Sequence, residues 1–156
     1  MPRRSAGLVV HRRRNGGLEV LLVHPGGPFW AKKDLGAWSI PKGEIDPGEE
    51  SDPLLVARRE FAEETGQPIA GDFMPLKPIR QPGGKIVQAW AIEGDFDVSQ
   101  LHSNSFAMEW PPRSGKVRSF PEVDRAAWFS IAEAKERMLK AQTPLLDELE
   151  ALLQKG

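Results

Sequence analysis

Valine and leucine crowd two stretches near the N-terminus, "SAGLVVHRR" (5–13) and "LEVLLVHP" (18–25), separated by "RNGG". Runs of this kind broken by Asn-Gly predict two antiparallel strands joined by a tight turn at Asn15-Gly16. A loop rich in glycine and proline follows, "PGGPFWAKKDLGA", and a short strand is expected at "WSIPKG". From Asp52 to Thr65 the apolar positions change to a helical period. "FMPLKPIRQ" and "KIVQAWAIEG", joined at Pro82-Gly83-Gly84, predict a second hairpin. Residues 99–121 are polar and carry prolines, so a long loop with one irregular strand is expected there. "RAAWFSI" predicts a last strand, followed by helices over 131–140 and 144–154. The second of these places Leu145, Leu146, Leu149, Leu152 and Leu153 at helical spacing. Strands and helices in this mixed order predict an α/β or α+β layer fold, a mixed sheet with helices on its faces.

The helix at 52–65 is well punctuated. Asp52 or Ser51 suits the N-cap, and Pro53 suits the first helical position, where a missing N–H costs nothing. Gly66 suits the left-handed residue that ends a helix, and Pro68 blocks continuation. At about 100° per residue, Leu54, Ala57, Arg58, Phe61 and Thr65 share one face, whose apolar members mark it as the core side. Glu60, Glu63 and Glu64 fall together within an arc of about 100° on another side, with Arg59 beside them. Carboxylates so spaced destabilise an isolated helix by a few tenths of a kcal/mol per pair. They read either as a solvated acidic face or as a platform of hard oxygen ligands for a divalent cation such as Mg²⁺.

Composition narrows the classes. At 156 residues the chain is expected to form one domain spanning 1–156. With no cysteine, disulfides and thiolate metal sites are excluded. A formal charge of −1 argues against general nucleic-acid binding but not against a small phosphorylated ligand. The basic N-terminus lacks the long apolar run of a secretory signal, and no stretch approaches the roughly 18 apolar residues of a membrane span. A soluble, unprocessed cytoplasmic protein with no membrane partner is therefore expected.

The stretch "GEIDPGEESDPLLVARREFAEETGQ", Gly43 to Gln67, resembles the signature of the Nudix hydrolases, G-x5-E-x7-R-E-U-x-E-E-x-G-U with U a bulky aliphatic residue. Gly43, Glu49, Arg59, Glu60, Glu63, Glu64 and Gly66 fall on its fixed positions, and Phe61 stands at the bulky position after Glu60. Two departures occur: nine residues separate Glu49 from Arg59, and Gln67 stands at the last aliphatic position. The extra two precede Pro53 and leave the helical spacing of the glutamates intact, with Glu49 and Glu50 both candidates for an ion pair to Arg59.

The resemblance implies an α/β/α sandwich with a mixed β-sheet. It also implies Mg²⁺ or Mn²⁺ held by Glu60, Glu63 and Glu64 with the Gly43 carbonyl, and Arg59 bracing the loop together with Glu49. The implied activity is hydrolysis of a nucleoside diphosphate linked to another group, by water attack at phosphorus. Glu60 or Glu64 is the internal candidate for general base, with Arg59 in the catalytic set; Glu109, Glu122 and Asp124 are the outside candidates. Lys42, Trp30, Glu109 and Arg113 are the residues assigned to substrate. Arg80 and Lys85 are further candidates for the groove, and Phe29 and Trp110 lie with Trp30 in loops able to stack on a base. Trp38, Trp90 and Trp128 are expected in the core, Lys32 and Lys33 as solubilising charges, and His11, His24 and His102 in structural or surface roles. Resemblance alone leans the substrate towards nucleoside triphosphates or dinucleoside polyphosphates. A catalytically silent nucleotide-binding or regulatory module is the alternative, though such a module is expected to lose metal-binding glutamates, and all three stand here.

Overall fold

The computed structural model describes residues 3–154. The first two apolar stretches form β1 (Arg4–Arg14) and β2 (Gly17–Pro25), antiparallel with Arg14 opposite Gly17. Asn15 and Gly16 both take left-handed backbone, φ 53° and 78°, which is the turn that matches the twist of the flanking strands. There follow β3 (Lys42–Glu44), α1 (Pro53–Thr65), β4 (Met74–Pro75), β5 (Ile79–Arg80) and β6 (Ile86–Glu93). The chain continues with β7 (Ser105–Glu109), β8 (Val117–Pro121), β9 (Val123–Ser130), α2 (Ile131–Arg137) and α3 (Thr143–Gln154).

One mixed sheet runs β4-β6-β1-β2-β9, with β3 added to β1 and β5 added to β6. β1 is central, antiparallel to β2 and β3 and parallel to β6. A strand covered on both faces is buried throughout its middle, and Ser5 to His11 are all buried. Alternation then sorts its side chains between two cores. Leu8 and Val10 join Val56, Ala57 and Phe61 of α1 with Ile92 and Phe96. Val9 joins Val20, Leu22 and Phe129 with Ala134 of α2 and Leu145, Leu146 and Leu149 of α3. Helices therefore cover both faces of the sheet, the α/β/α sandwich expected. No helix among the described residues is long and apolar enough to cross a membrane.

Both hairpins, the α1 caps and the last strand stand where the sequence puts them. Asp52 accepts the Leu55 N–H at 3.2 Å, and Gly66 closes α1 at φ 81°. Other expectations are corrected. Residues 99–121 hold a two-stranded hairpin, β7–β8, rather than a loop with one irregular strand. In "WSIPKG", Trp38 and Ser39 make only isolated bridges, to Met138 and Val23, and continuous pairing begins at Lys42. α2 stops at Arg137 because Met138 turns extended (φ −83°, ψ 163°) to bury itself beside Trp38. On α1, Arg58 is exposed and Val56 takes the core position next to Ala57. Trp38 is buried in the core, whereas Trp90 and Trp128 are half-buried at the edge of the α1 core.

Candidate active site

The site is assembled by one pairing: β3 adds to the N-terminal half of β1, Ala6 opposite Gly43 and Gly7 opposite Lys42, which lays "PKGE" along the glutamate side of α1. At Gly43 the approach leaves no space for a side chain. A Cβ there would sit 2.0 Å from Glu60 Cδ, so only glycine admits the Glu60 carboxyl at that place. One residue back, the Lys42 backbone N–H donates to Glu64, at 3.1 Å from Oε2 and 3.4 Å from Oε1. Glu64 is only 8% exposed. Burial pushes its carboxyl up to about 8, against the pull of the Lys42 N–H and with the help of negative charge on Glu60 and Glu122. Burial also raises Glu60, partly offset by Arg59.

Arg59 binds this arrangement to the loop before the helix. Its guanidinium pairs with Glu49 through Nη1, reaches Glu60 Oε1 from Nη2 at 3.3 Å, and lies 3.7 Å from Glu63 Oε1 through Nε. Glu49 Oε1 also accepts the Asp46 N–H at 2.9 Å, and these bonds, Arg59 first, hold its carboxyl below the ordinary glutamate value. The neighbouring Glu50 instead accepts the Gly48 N–H at 2.9 Å. Despite the two extra residues, it is Glu49 that meets Arg59: the chain between Glu49 and the helix folds into a turn in which the Asp52 N–H donates to the Glu49 carbonyl at 3.2 Å.

Against this carboxylate cluster opens a cavity of about 220 Å³, whose wall includes Glu64, Lys42, Trp30, Glu122, Val23 and Leu139. Burial depresses the Lys42 ammonium, with further depression from Lys85, which lies 3.9 Å from Glu44. Of the expected site residues, the structure gathers Lys42, Gly43, Glu49, Arg59, Glu60, Glu63 and Glu64, and brings Trp30 to the cavity. Glu109 and Arg113 lie apart from it at the tip of the β7–β8 hairpin, where the Glu109 carboxylate accepts the Arg113 N–H at 2.8 Å. Asp124 is committed to His24, 2.8 Å from Nδ1, and the other ring nitrogen lies 2.6 Å from the Lys33 carbonyl, which ties the segment after β2 to β9. Glu122 and Leu139 gain their place in the wall from the non-local pairing of β2 with β9 and from the turn after α2. No local pattern marks either.

Among the described residues, no three histidine, aspartate or glutamate side chains already converge on one point; Arg59 spans Glu60 and Glu63 instead. The donor set nevertheless fits a hard divalent cation. Glu60 and Glu64 are carboxylates whose charge burial disfavours, a third lies beside them at Glu63, and carboxylate oxygens are the hard donors such a cation takes.

A model of the NUDIX domain matches residues 1–149. Bis(5'-nucleosyl)-tetraphosphatase (asymmetrical) from Rattus norvegicus and that from Mus musculus are each 28% identical over 169 aligned positions, spanning 100% of this chain and 94% of theirs. Among solved structures, a C. elegans Ap4A hydrolase in a binary complex superposes with a TM-score of 0.65 at 24% identity, covering 97% of this chain and 99% of that one. The NUDIX domain of Shewanella oneidensis NrtR, complexed with ADP ribose, gives 0.64 at 17% identity, covering 99% and 89%. These superpositions share the sandwich, and the domain match runs from the first strand into the last helix: the chain belongs to the Nudix family of pyrophosphohydrolases.

Proposed function

We infer that this chain is a divalent-metal-dependent hydrolase of nucleoside diphosphate-linked substrates, with dinucleoside polyphosphates the leading class and nucleoside triphosphates next. The observation that carries the reading is that Glu64 is shared: it belongs to the carboxylate cluster on α1 and also to the wall of a cavity with an aromatic and a cationic residue. The curated relatives named above as tetraphosphatases support the substrate class.

Glu60, Glu63 and Glu64, with the Gly43 carbonyl, are the residues that would hold Mg²⁺ or Mn²⁺. Such an ion supplies charge neutralisation at the phosphates and a lowered pKa for bound water. The rest of the work belongs to the chain. Trp30 offers a face to a base, and Lys42 meets phosphate oxygens at the cavity wall. Arg59 and Glu49 hold the loop and the helix in one register, which keeps the carboxylates of α1 beside the cavity. The proton of the attacking water goes to a carboxylate beside the phosphates. Of the outside candidates Glu122 alone lines the cavity, since Glu109 binds Arg113 and Asp124 binds His24. The attacked P–O–P bond breaks, giving a nucleoside phosphate and the phosphorylated remainder.

The test is a panel of diadenosine tetraphosphate, nucleoside triphosphates, ADP-ribose, nucleotide sugars and 5′-triphosphorylated RNA, assayed with Mg²⁺ and with Mn²⁺ beside the Glu63→Gln/Glu64→Gln double variant. Turnover of diadenosine tetraphosphate that needs metal and is lost in the variant is expected. A folded wild-type protein that turns over nothing in the panel while binding the metal would overturn the hydrolase reading.

A further inference from the structure

The β7–β8 hairpin belongs to no layer of the sandwich, since its strands pair only with each other. Alternation gives it two unlike faces: Phe106, Met108 and Phe120 are half-buried, while Ser105, Ala107, Glu109, Val117 and Ser119 are exposed. The half-buried face rests on the segment that follows β2. Phe106 lies so close to Gly27 that a Cβ there would come within 3.0 Å of the ring. The Gly26 N–H donates to the Glu122 carbonyl at 2.9 Å, and Trp110 meets Phe29 edge to face with ring centroids 5.4 Å apart. Four bonds hold the tip in place: the Trp110 N–H donates to the Lys116 carbonyl at 2.9 Å, the Arg113 N–H to Glu109 at 2.8 Å, the Ser114 N–H to the Pro111 carbonyl at 3.1 Å and the Lys116 N–H to Ser114 Oγ at 3.1 Å. All this structure supports an aromatic pair whose Phe29 is 62% exposed to water. Phe29 is joined in sequence to Trp30, a wall residue of the cavity beside Glu64.

Size decides what such a pair is for. A cavity of about 220 Å³ lies below the roughly 300–1,000 Å³ of pockets that enclose a whole drug-sized ligand. A substrate with a bulky group at each end of its phosphates cannot be enclosed, and its second end must cross the rim. The hairpin itself carries Arg113, Lys116 and Arg118 against Glu109, a positive balance that suits a polyphosphate.

We propose that Phe29 and Trp110 form the binding shelf for a second nucleoside, stacking its base, and so select dinucleoside polyphosphates over polyphosphates of a single nucleoside. This rests on the hydrolase reading above. Glu109 and Arg113, expected from the sequence to meet substrate, are positioning residues that hold the turn beneath Trp110.

The experiment compares two ligands that differ only in the second nucleoside, diadenosine tetraphosphate and adenosine 5′-tetraphosphate, on the full chain and on Phe29→Ala, Trp110→Ala and Trp110→Phe. In both alanine variants KM for the dinucleotide is expected to rise by about 5- to 150-fold, the equivalent of one base stacked on an aromatic ring. Its kcat, and both constants for adenosine tetraphosphate, should hold, and Trp110→Phe should recover most of the loss. Equal losses on both ligands, or no loss on either, would overturn the shelf while leaving hydrolysis standing. The same pair of ligands measured by calorimetry with Mg²⁺ gives the comparison without turnover. Equal affinities in wild type and variants there would overturn the shelf whatever becomes of the catalytic reading.

Discussion

At Gly43 a hydrogen atom in place of a methyl group admits the Glu60 carboxyl to β3. Gly43→Ala is expected to fold, because the strand pairing uses only backbone, yet to displace Glu60. Mg²⁺ affinity should then fall by about 10–100-fold, the usual effect of disturbing the groups that orient a ligand. Calorimetric titration reads it, and an unchanged affinity would remove Gly43 from the site. Glu64 makes a second prediction, through protons. Without metal its folded-state carboxyl titrates near 8, whereas an unfolded glutamate titrates at about 4.3. Between those values the folded protein keeps a proton that the unfolded chain releases, so this group's contribution to stability falls as pH rises through the window. A cation needs the carboxylate, and its stabilisation must grow over the same range. The Mg²⁺-induced rise in Tm should therefore be larger at about pH 8.5 than at about pH 6, and Glu64→Gln should flatten the difference. An increment equal at both pH values in the wild type would detach Glu64 from the metal.

The loop from Glu44 to Asp52 and the helix α1 act as one element because Glu49 and Arg59 join them. Arg59 is 40% exposed, so the pair is worth at most about 1 kcal/mol of stability. Its value is positional. Glu49→Gln is expected to change Tm little but to lower kcat/KM by ten-fold or more, on the order of the loss that small misplacements of reacting groups produce. Glu50→Gln, whose carboxyl caps only Gly48, should be near wild type. Similar losses in both variants would mean that loop charge, not the specific pair, matters. What was legible in the sequence divides along the same line between local and distant. Asn15-Gly16, Asp52-Pro53 and Gly66 each specify a turn or a cap within four residues, and those elements stand as read. The β7–β8 hairpin was hidden because its outer face mixes Ser105, Glu109 and Ser119 with Ala107 and Val117, and its inner face is satisfied by Gly26, Gly27 and Phe29, some eighty residues or more away in the chain. The α1 face was read with Arg58 inside, since spacing alone cannot tell that Val56 is the residue covered by Leu8 and Ile92. Glu122 could be named only as one acid among three, because its place depends on the pairing of β2 with β9.

Across the whole molecule the sheet works as a partition. One core, under α1, carries the glutamates on its helix; the other, under α2 and α3, buries Leu145, Leu146 and Leu149, which do not reach the cavity, and meets the cavity wall at Ile40. The α3 leucines and the α1 glutamates thus lie on opposite faces, with the central strand β1 common to both. Truncating a fully buried leucine costs about 2–5 kcal/mol, and for a chain of this size each kcal/mol moves Tm by about 2–4 °C. Leu149→Ala should therefore lower Tm by roughly 4–20 °C. Its Mg²⁺ affinity at 20 °C, where the variant is still folded, should match the wild type within about two-fold, as expected for sites that share no partners. If instead metal affinity fell with stability, the two faces would be coupled through β1, where Leu8 and Val9 point to opposite cores from adjacent positions. The α3 leucines would then belong to the preorganisation of the carboxylates and not to the scaffold alone.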